Sequence, residues 1–141
     1  MKMSHVLELP YPSTAIIRGP ILGNEDGGLQ LSMIFDEENT YYHFQLRFEK
    51  VRAFCKRAEV YCTQFHIKAY DVVCEISDST WVDELKNDVV IEWRDRWVMR
   101  HFVIYIDSFG YLEVIAESAG LKEIDKNSAG TPLVSQTPFS A

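Results

Sequence analysis

Between Arg100 and Glu117 the chain spells out a β-hairpin almost residue by residue. His101, Val103, Tyr105 and Asp107 fall on one side of an extended backbone, and Phe102, Ile104 and Ile106 fall on the other. Asp107-Ser108-Phe109-Gly110 breaks the pattern, after which Tyr111 to Glu117 alternates back. A period of two belongs to strands, because successive side chains leave a pleated backbone on opposite faces. Gly110 suits the left-handed position that closes a short hairpin loop, and Asp107 can accept the loop's backbone N–H groups. A hairpin of this kind has to be completed by further strands and by an apolar layer against one face.

The rest of the chain offers those strands. Val6–Leu9 reads as a short one before Pro10 and Pro12, and Ser13–Arg18 as a second, ended by Gly19-Pro20. The glycine-rich, acidic stretch from Gly23 to Gly28 reads as a loop. Leu29, Leu31, Met33 and Phe35 then alternate with Gln30, Ser32 and Ile34, and Asp36–Thr40 turns the chain. Tyr42, Phe44, Leu46 and Phe48 share a face opposite His43, Gln45, Arg47 and Glu49. The alternation resumes one residue out of step after Lys50, which predicts a β-bulge there. Phe65–Ser77 reads as one long extended run with Tyr70, Val72, Cys74 and Ile76 on one side.

One helix signal stands among the strands. Ser79 or Thr80 can cap a turn carrying Asp83 and Glu84, whose charges suit the positive end of the helix dipole. Trp81, Val82 and Leu85 make its apolar face, and Asn87-Asp88 ends it. Two turns are not stable alone, so Trp81 is expected to pack on the sheet. The expected fold is therefore α+β: one domain over residues 1–124, mainly an antiparallel curved sheet or partly open barrel, with one short helix packed on it. Residues 125–141 lose all periodicity and read as a flexible tail.

Charge and composition narrow the function by exclusion. A net charge of −7 opposes general binding to nucleic acid, which needs a basic surface. No apolar run approaches the roughly 20 residues of a membrane span, and the opening Met1–Leu9 carries Glu8 where a secretory leader would be apolar. The three cysteines, Cys55, Cys62 and Cys74, match neither a disulfide framework nor a zinc motif, which fits reduced, mostly buried thiols in a cytoplasmic protein. The four histidines stand at no metal-ligand spacing, so neither a metal nor a cofactor is expected.

Catalytic readings are weak. Ser108, His101 and Asp107 can be assembled into a triad on paper, but no nucleophile elbow surrounds them, and Asp107 and Ser108 are neighbours in a turn. Glu113 and Glu117 share a strand face as solvent-facing charge. A metal-independent enzyme using His101 and Glu113 stays as a third reading, behind binding functions. The chain is expected not to be an enzyme.

Two features point instead to a partner. Glu75, Asp78, Asp83, Glu84, Asp88, Glu92 and Asp95 face only Lys86 and Arg94 over one acidic stretch, whereas Arg47, Lys50, Arg52, Lys56 and Arg57 crowd an earlier one. Trp93 and Trp97 stand among Arg94, Arg96 and Arg100, and Trp and Arg are the residues protein interfaces favour. Asp78, Asp83, Glu84, Asp88, Trp93, Trp97, Arg100 and His101 are the candidate partner-binding residues. The alternative is a small-ligand-binding barrel with Tyr42, Phe44, Tyr70 and Tyr105 lining its cavity.

Asp78-Ser79-Thr80-Trp81-Val82-Asp83-Glu84-Leu85, followed by Arg100-His101-Phe102 and by Gly110-Tyr111-Leu112-Glu113-Val114-Ile115-Ala116, resembles a group of small bacterial proteins. In that group a D-S-x-W-x-x-E-L helix precedes an R-H-F/Y…G-x-L-E-V-I-A hairpin, and some members resemble immunity proteins of polymorphic toxin systems. The resemblance spans about a quarter of the chain and carries over no active-site residue. It implies an interaction protein and not an enzyme. Together with the −7 charge and the acidic run, it makes the expected function that of a cytoplasmic binding protein, an immunity protein neutralising a basic toxin domain through its acidic surface. A homodimer formed by sheet edges is compatible with each reading.

Overall fold

The alternating segments pair into two antiparallel sheets whose apolar faces meet. In the computed structural model, which describes residues 2–124, nine strands form. They are β1 (Lys2–Glu8), β2 (Ile16–Glu25), β3 (Gly28–Glu37), β4 (Thr40–Glu49), β5 (Ala53–Arg57), β6 (Val72–Ser77), β7 (Arg100–Ile106), β8 (Gly110–Ala116) and β9 (Ser118–Ile124). One sheet runs β1-β6-β7-β8-β5 and the other β2-β3-β4-β9. Leu29, Leu31, Met33 and Phe35 on β3, with Leu46 and Phe48 on β4, pack against Phe102, Ile104 and Ile106 on β7 and Leu112, Val114 and Ala116 on β8. The two faces read from the alternation are both buried: Phe102, Ile104 and Ile106 against the other sheet, and Val103 and Tyr105 in a second cluster on the outer side. The tail expected over 125–141 lies outside the described residues.

The mainly antiparallel α+β architecture is as expected, and its two sheets do not close into a barrel. The chain changes sheet where a bulge was expected. Lys50 takes φ 54°, Val51 N–H reaches Gly27 O at 2.9 Å, and Arg52 N–H reaches Ile115 O at 2.7 Å in the opposite sheet. The alternation slips after Lys50 because a new strand begins in the other layer, not because one strand bulges. β8 crosses back at the same corner, where Glu117 N–H meets Glu49 O at 3.0 Å.

Three further segments differ from their sequence reading. Strand β2 runs through Gly19-Pro20 to Glu25, absorbing the pair as shifts of register against β3. The expected Gly23–Gly28 loop shrinks to the two-residue turn Asp26-Gly27. Phe65–Ile67 is not extended: α1 (Gln64–Ile67) is one turn, started by Thr63 N–H donating to His66 Nδ1 at 2.8 Å. That contact satisfies a backbone donor locally, and a helical turn results where apolar spacing alone suggested strand.

The hairpin loop also has a different keeper. Gly110 has φ 112° and Ser108 φ 63°, but the loop N–H of Ser108 goes to Glu59 Oε2 at 2.6 Å rather than to Asp107. Glu59 also accepts from the Tyr105 hydroxyl at 3.2 Å. Asp107 N–H donates to Ser13 Oγ at 3.0 Å. The turn is thus held by side chains remote in sequence.

Candidate functional site

The outer face of the five-stranded sheet, turned away from the central core, carries most of the polar chemistry. Cross-strand pairing sets His5, Cys74, Val103, Glu113 and Cys55 in one row, and Met3, Ile76, His101, Ile115 and Ala53 in the next. Two coverings lie on this face. The segment around α1 seals Ala69, Cys74, Val103, Tyr105 and Tyr111 with Phe65 and Cys62. The helix α2 (Thr80–Asn87) covers the end near His101, its Trp81 ring standing edge-on to the imidazole at 5.4 Å.

Under α2 three side chains form a continuous polar line. Ser79 caps the helix as the sequence suggests, its Oγ accepting from Val82 N–H at 3.1 Å. The same Oγ lies 2.7 Å from His101 Nδ1, and His101 Nε2 lies 2.8 Å from Glu113 Oε1. Ser79 and His101 are 6% and 4% exposed, so all of this geometry is set by the fold rather than by solvent. The hydrogen bond from His101 holds the Glu113 carboxyl below the usual carboxylate range despite burial, which acts the other way. Glu113 Oε2 also faces the Cys55 thiol at 3.8 Å.

An ionised Glu113 can only accept, which fixes the proton between it and His101. Nε2 of His101 carries a hydrogen and donates it to Glu113, which leaves Nδ1 as an acceptor for the Ser79 hydroxyl in the neutral imidazole. Glu113, read from the sequence as solvent-facing charge, is therefore a half-buried partner of His101, whereas Glu117 just beyond the same strand's end pairs with Arg52 at 3.4 Å. Of the cysteines only Cys74 is buried; Cys62 is half-buried and Cys55 exposed, and all three are free.

The candidate partner-binding residues divide between surface and interior. Asp78, Asp83, Glu84 and Asp88 are exposed on α2 and at its two ends. The segment after the helix is held to it by Lys86 and Asp95, 3.9 Å apart, and exposes Val90, Ile91, Trp93 and Val98. Trp93 meets Trp97 edge to face at 6.1 Å, with Arg96 over Trp93 and Arg52 over Trp97. Arg100 is committed to Glu75 through two hydrogen bonds of 3.1 and 2.7 Å and lies over the Phe102 ring. His101 sits beneath the helix, where both ring nitrogens are engaged. The four acids and Trp93 are thus exposed, whereas Arg100 is paired with Glu75 and His101 is buried.

The four aromatics of the barrel alternative share no interior. Tyr42 and Phe44 gather around Tyr11 at one end of the central core, whereas Tyr70 stacks on Tyr105 at the outer face of the other sheet. Among the described residues, no helix is long and apolar enough to cross a membrane. Comparison with family models, curated proteins and solved structures finds no match, so the functional reading rests on geometry and charge.

Proposed function

We propose that the chain is a protein-binding module that docks a basic partner through α2 and residues 88–99, acting in the cytoplasm as the immunity partner of a toxin domain. One observation carries the reading: Ile91 is 71% exposed and Trp93 48%, in a segment bordered by Asp83, Glu84 and Asp88. Apolar side chains that a chain leaves in water beside concentrated charge are what a partner's surface covers. Trp93 would supply the anchor, and the acids would steer a cationic surface into register. The central core stays out of the contact, and the buried line under α2 holds the helix in its place.

The test is co-expression with the product of the adjacent gene, followed by titration calorimetry at two salt concentrations. A salt-sensitive complex is expected. Trp93→Ala should weaken it by about 30-fold, the effect of losing an interface anchor. Reversing Asp83, Glu84 and Asp88 to lysine should slow association by about 10- to 100-fold while changing dissociation little. A folded chain that neither binds that product nor suppresses its toxicity refutes the reading. Self-association through the same surface, seen by gel filtration, would redirect it to a homodimer.

A further inference from the structure

We propose that Ser79, His101 and Glu113 form a hydrolytic site, with Ser79 as nucleophile and small, positively charged carboxylic esters as its substrate class. The site lies beside the docking surface and shares Asp83 with it. With a neutral imidazole its proton order is that of an activated serine: hydroxyl to imidazole over 2.7 Å, imidazole to carboxylate over 2.8 Å. A cleft of about 220 Å³ opens on it, with Ser79 and His101 both in the wall. A buried polar line serving only to fasten a helix has no need of a cavity at its nucleophilic end.

The beginning of α2 supplies what else acyl transfer requires. The first turn leaves N–H groups without intrahelical acceptors, and Val82 and Asp83 bring that turn into the cleft wall, so the oxyanion of a tetrahedral intermediate would be received there. Val82 N–H already donates to Ser79 Oγ and would stabilise the alkoxide that develops there. Glu75 in the cleft wall is neutralised by Arg100. Asp78 and Asp83 remain as its charge and select a cationic substrate.

In the reaction Ser79 Oγ attacks the ester carbonyl carbon while its proton passes to His101 Nδ1. The bond from the carbonyl carbon to the leaving group breaks, C–O in an ester and C–S in the thioester acetylthiocholine, and the leaving alcohol or thiol takes that proton from His101. Water then attacks the acyl-serine, again giving its proton to Nδ1, and Ser79 recovers it as the carboxylic acid leaves. Glu113 never receives the proton. It holds the imidazole in the Nε2–H tautomer throughout and is a positioning residue.

The experiment uses the purified full chain, a fluorophosphonate probe, and two esters, acetylthiocholine and p-nitrophenyl acetate. Peptide mass spectrometry should find the phosphonyl group on Ser79, and acetylthiocholine should be the better substrate. Ser79→Asn keeps a strong helix cap but has no hydroxyl, so it should remain folded by circular dichroism and lose label and turnover. His101→Gln should lower kcat by about 10²- to 10⁴-fold, the range for a lost general base. Glu113→Gln should lower kcat with KM unchanged, a split that loosening of the helix would not produce. Asp78→Asn with Asp83→Asn should raise KM for acetylthiocholine by a larger factor than KM for p-nitrophenyl acetate. A folded wild-type chain that takes no label on Ser79, or hydrolyses the esters no faster than Ser79→Asn, overturns the proposal. Equal turnover of both esters overturns the substrate class.

Discussion

Replacing Gly110 with alanine is expected to destabilise the fold by about 2–4 kcal/mol, combining left-handed backbone strain with overpacking. Gly110 has φ 112°, a conformation L side chains rarely adopt. A Cβ built there collides with the Arg57 carbonyl oxygen and stands 3.3 Å from the Ala58 Cα. Neither atom is free to withdraw, because Arg57 ends strand β5 opposite Tyr111 on β8. Relief would have to come from unpairing β5 or reshaping the loop that Glu59 holds. Urea melts should show a lower midpoint at nearly unchanged slope. Ser108→Gly is the control: its φ of 63° is also left-handed, and glycine there should leave stability within about 1 kcal/mol, strain relief offsetting added chain entropy. An alanine variant as stable as the wild type would mean the turn has another low-energy form.

The hairpin that Gly110 closes was the most legible part of the sequence, and its limits are instructive. Alternation put Phe102, Ile104 and Ile106 on one sheet face, and the cap at Ser79 was readable from residue type, because both depend on neighbours along the chain. The sheet change at Lys50 was visible only as slipped parity, since a bulge and a crossover produce the same local pattern. Glu59 could not be found as keeper of the hairpin loop, being 49 residues from Ser108. The His101–Glu113 pair was within reach. Once Ile106 is set opposite Gly110, Val103 faces Glu113, and His101 becomes its diagonal neighbour on the same face. Ser79 was not, because its contact with His101 exists only after α2 docks on the sheet. The exposure of Ile91 and Trp93 was equally hidden, as apolar spacing shows which residues could be buried and not which ones find cover.

The substitution His101→Ala tests how much that docked arrangement depends on its central member. It should cost about 3 kcal/mol, from the lost packing under Trp81 together with a Ser79 hydroxyl left without its partner. Glu113 softens the loss, because its side chain is already 21% exposed and can regain water. The pH dependence gives a sharper signature. The folded Glu113 carboxyl lies below its usual value chiefly because His101 donates to it. Its contribution is therefore complete above the unfolded value of about 4.3, and is lost as pH falls through the lower folded value. Urea melts from neutral to acid pH should show the wild type losing that increment on acidification and His101→Ala lacking it. Glu113→Gln should lack it too, and the double variant should cost less than the two single costs combined, because each single change already breaks the same hydrogen bond. Parallel acid profiles for wild type and His101→Ala would show that Glu113 draws its depressed ionisation from elsewhere. The neutral, Nε2–H form of His101 would then lose its anchor, and with it the hydrogen-bond order that presents a free Nδ1 to Ser79.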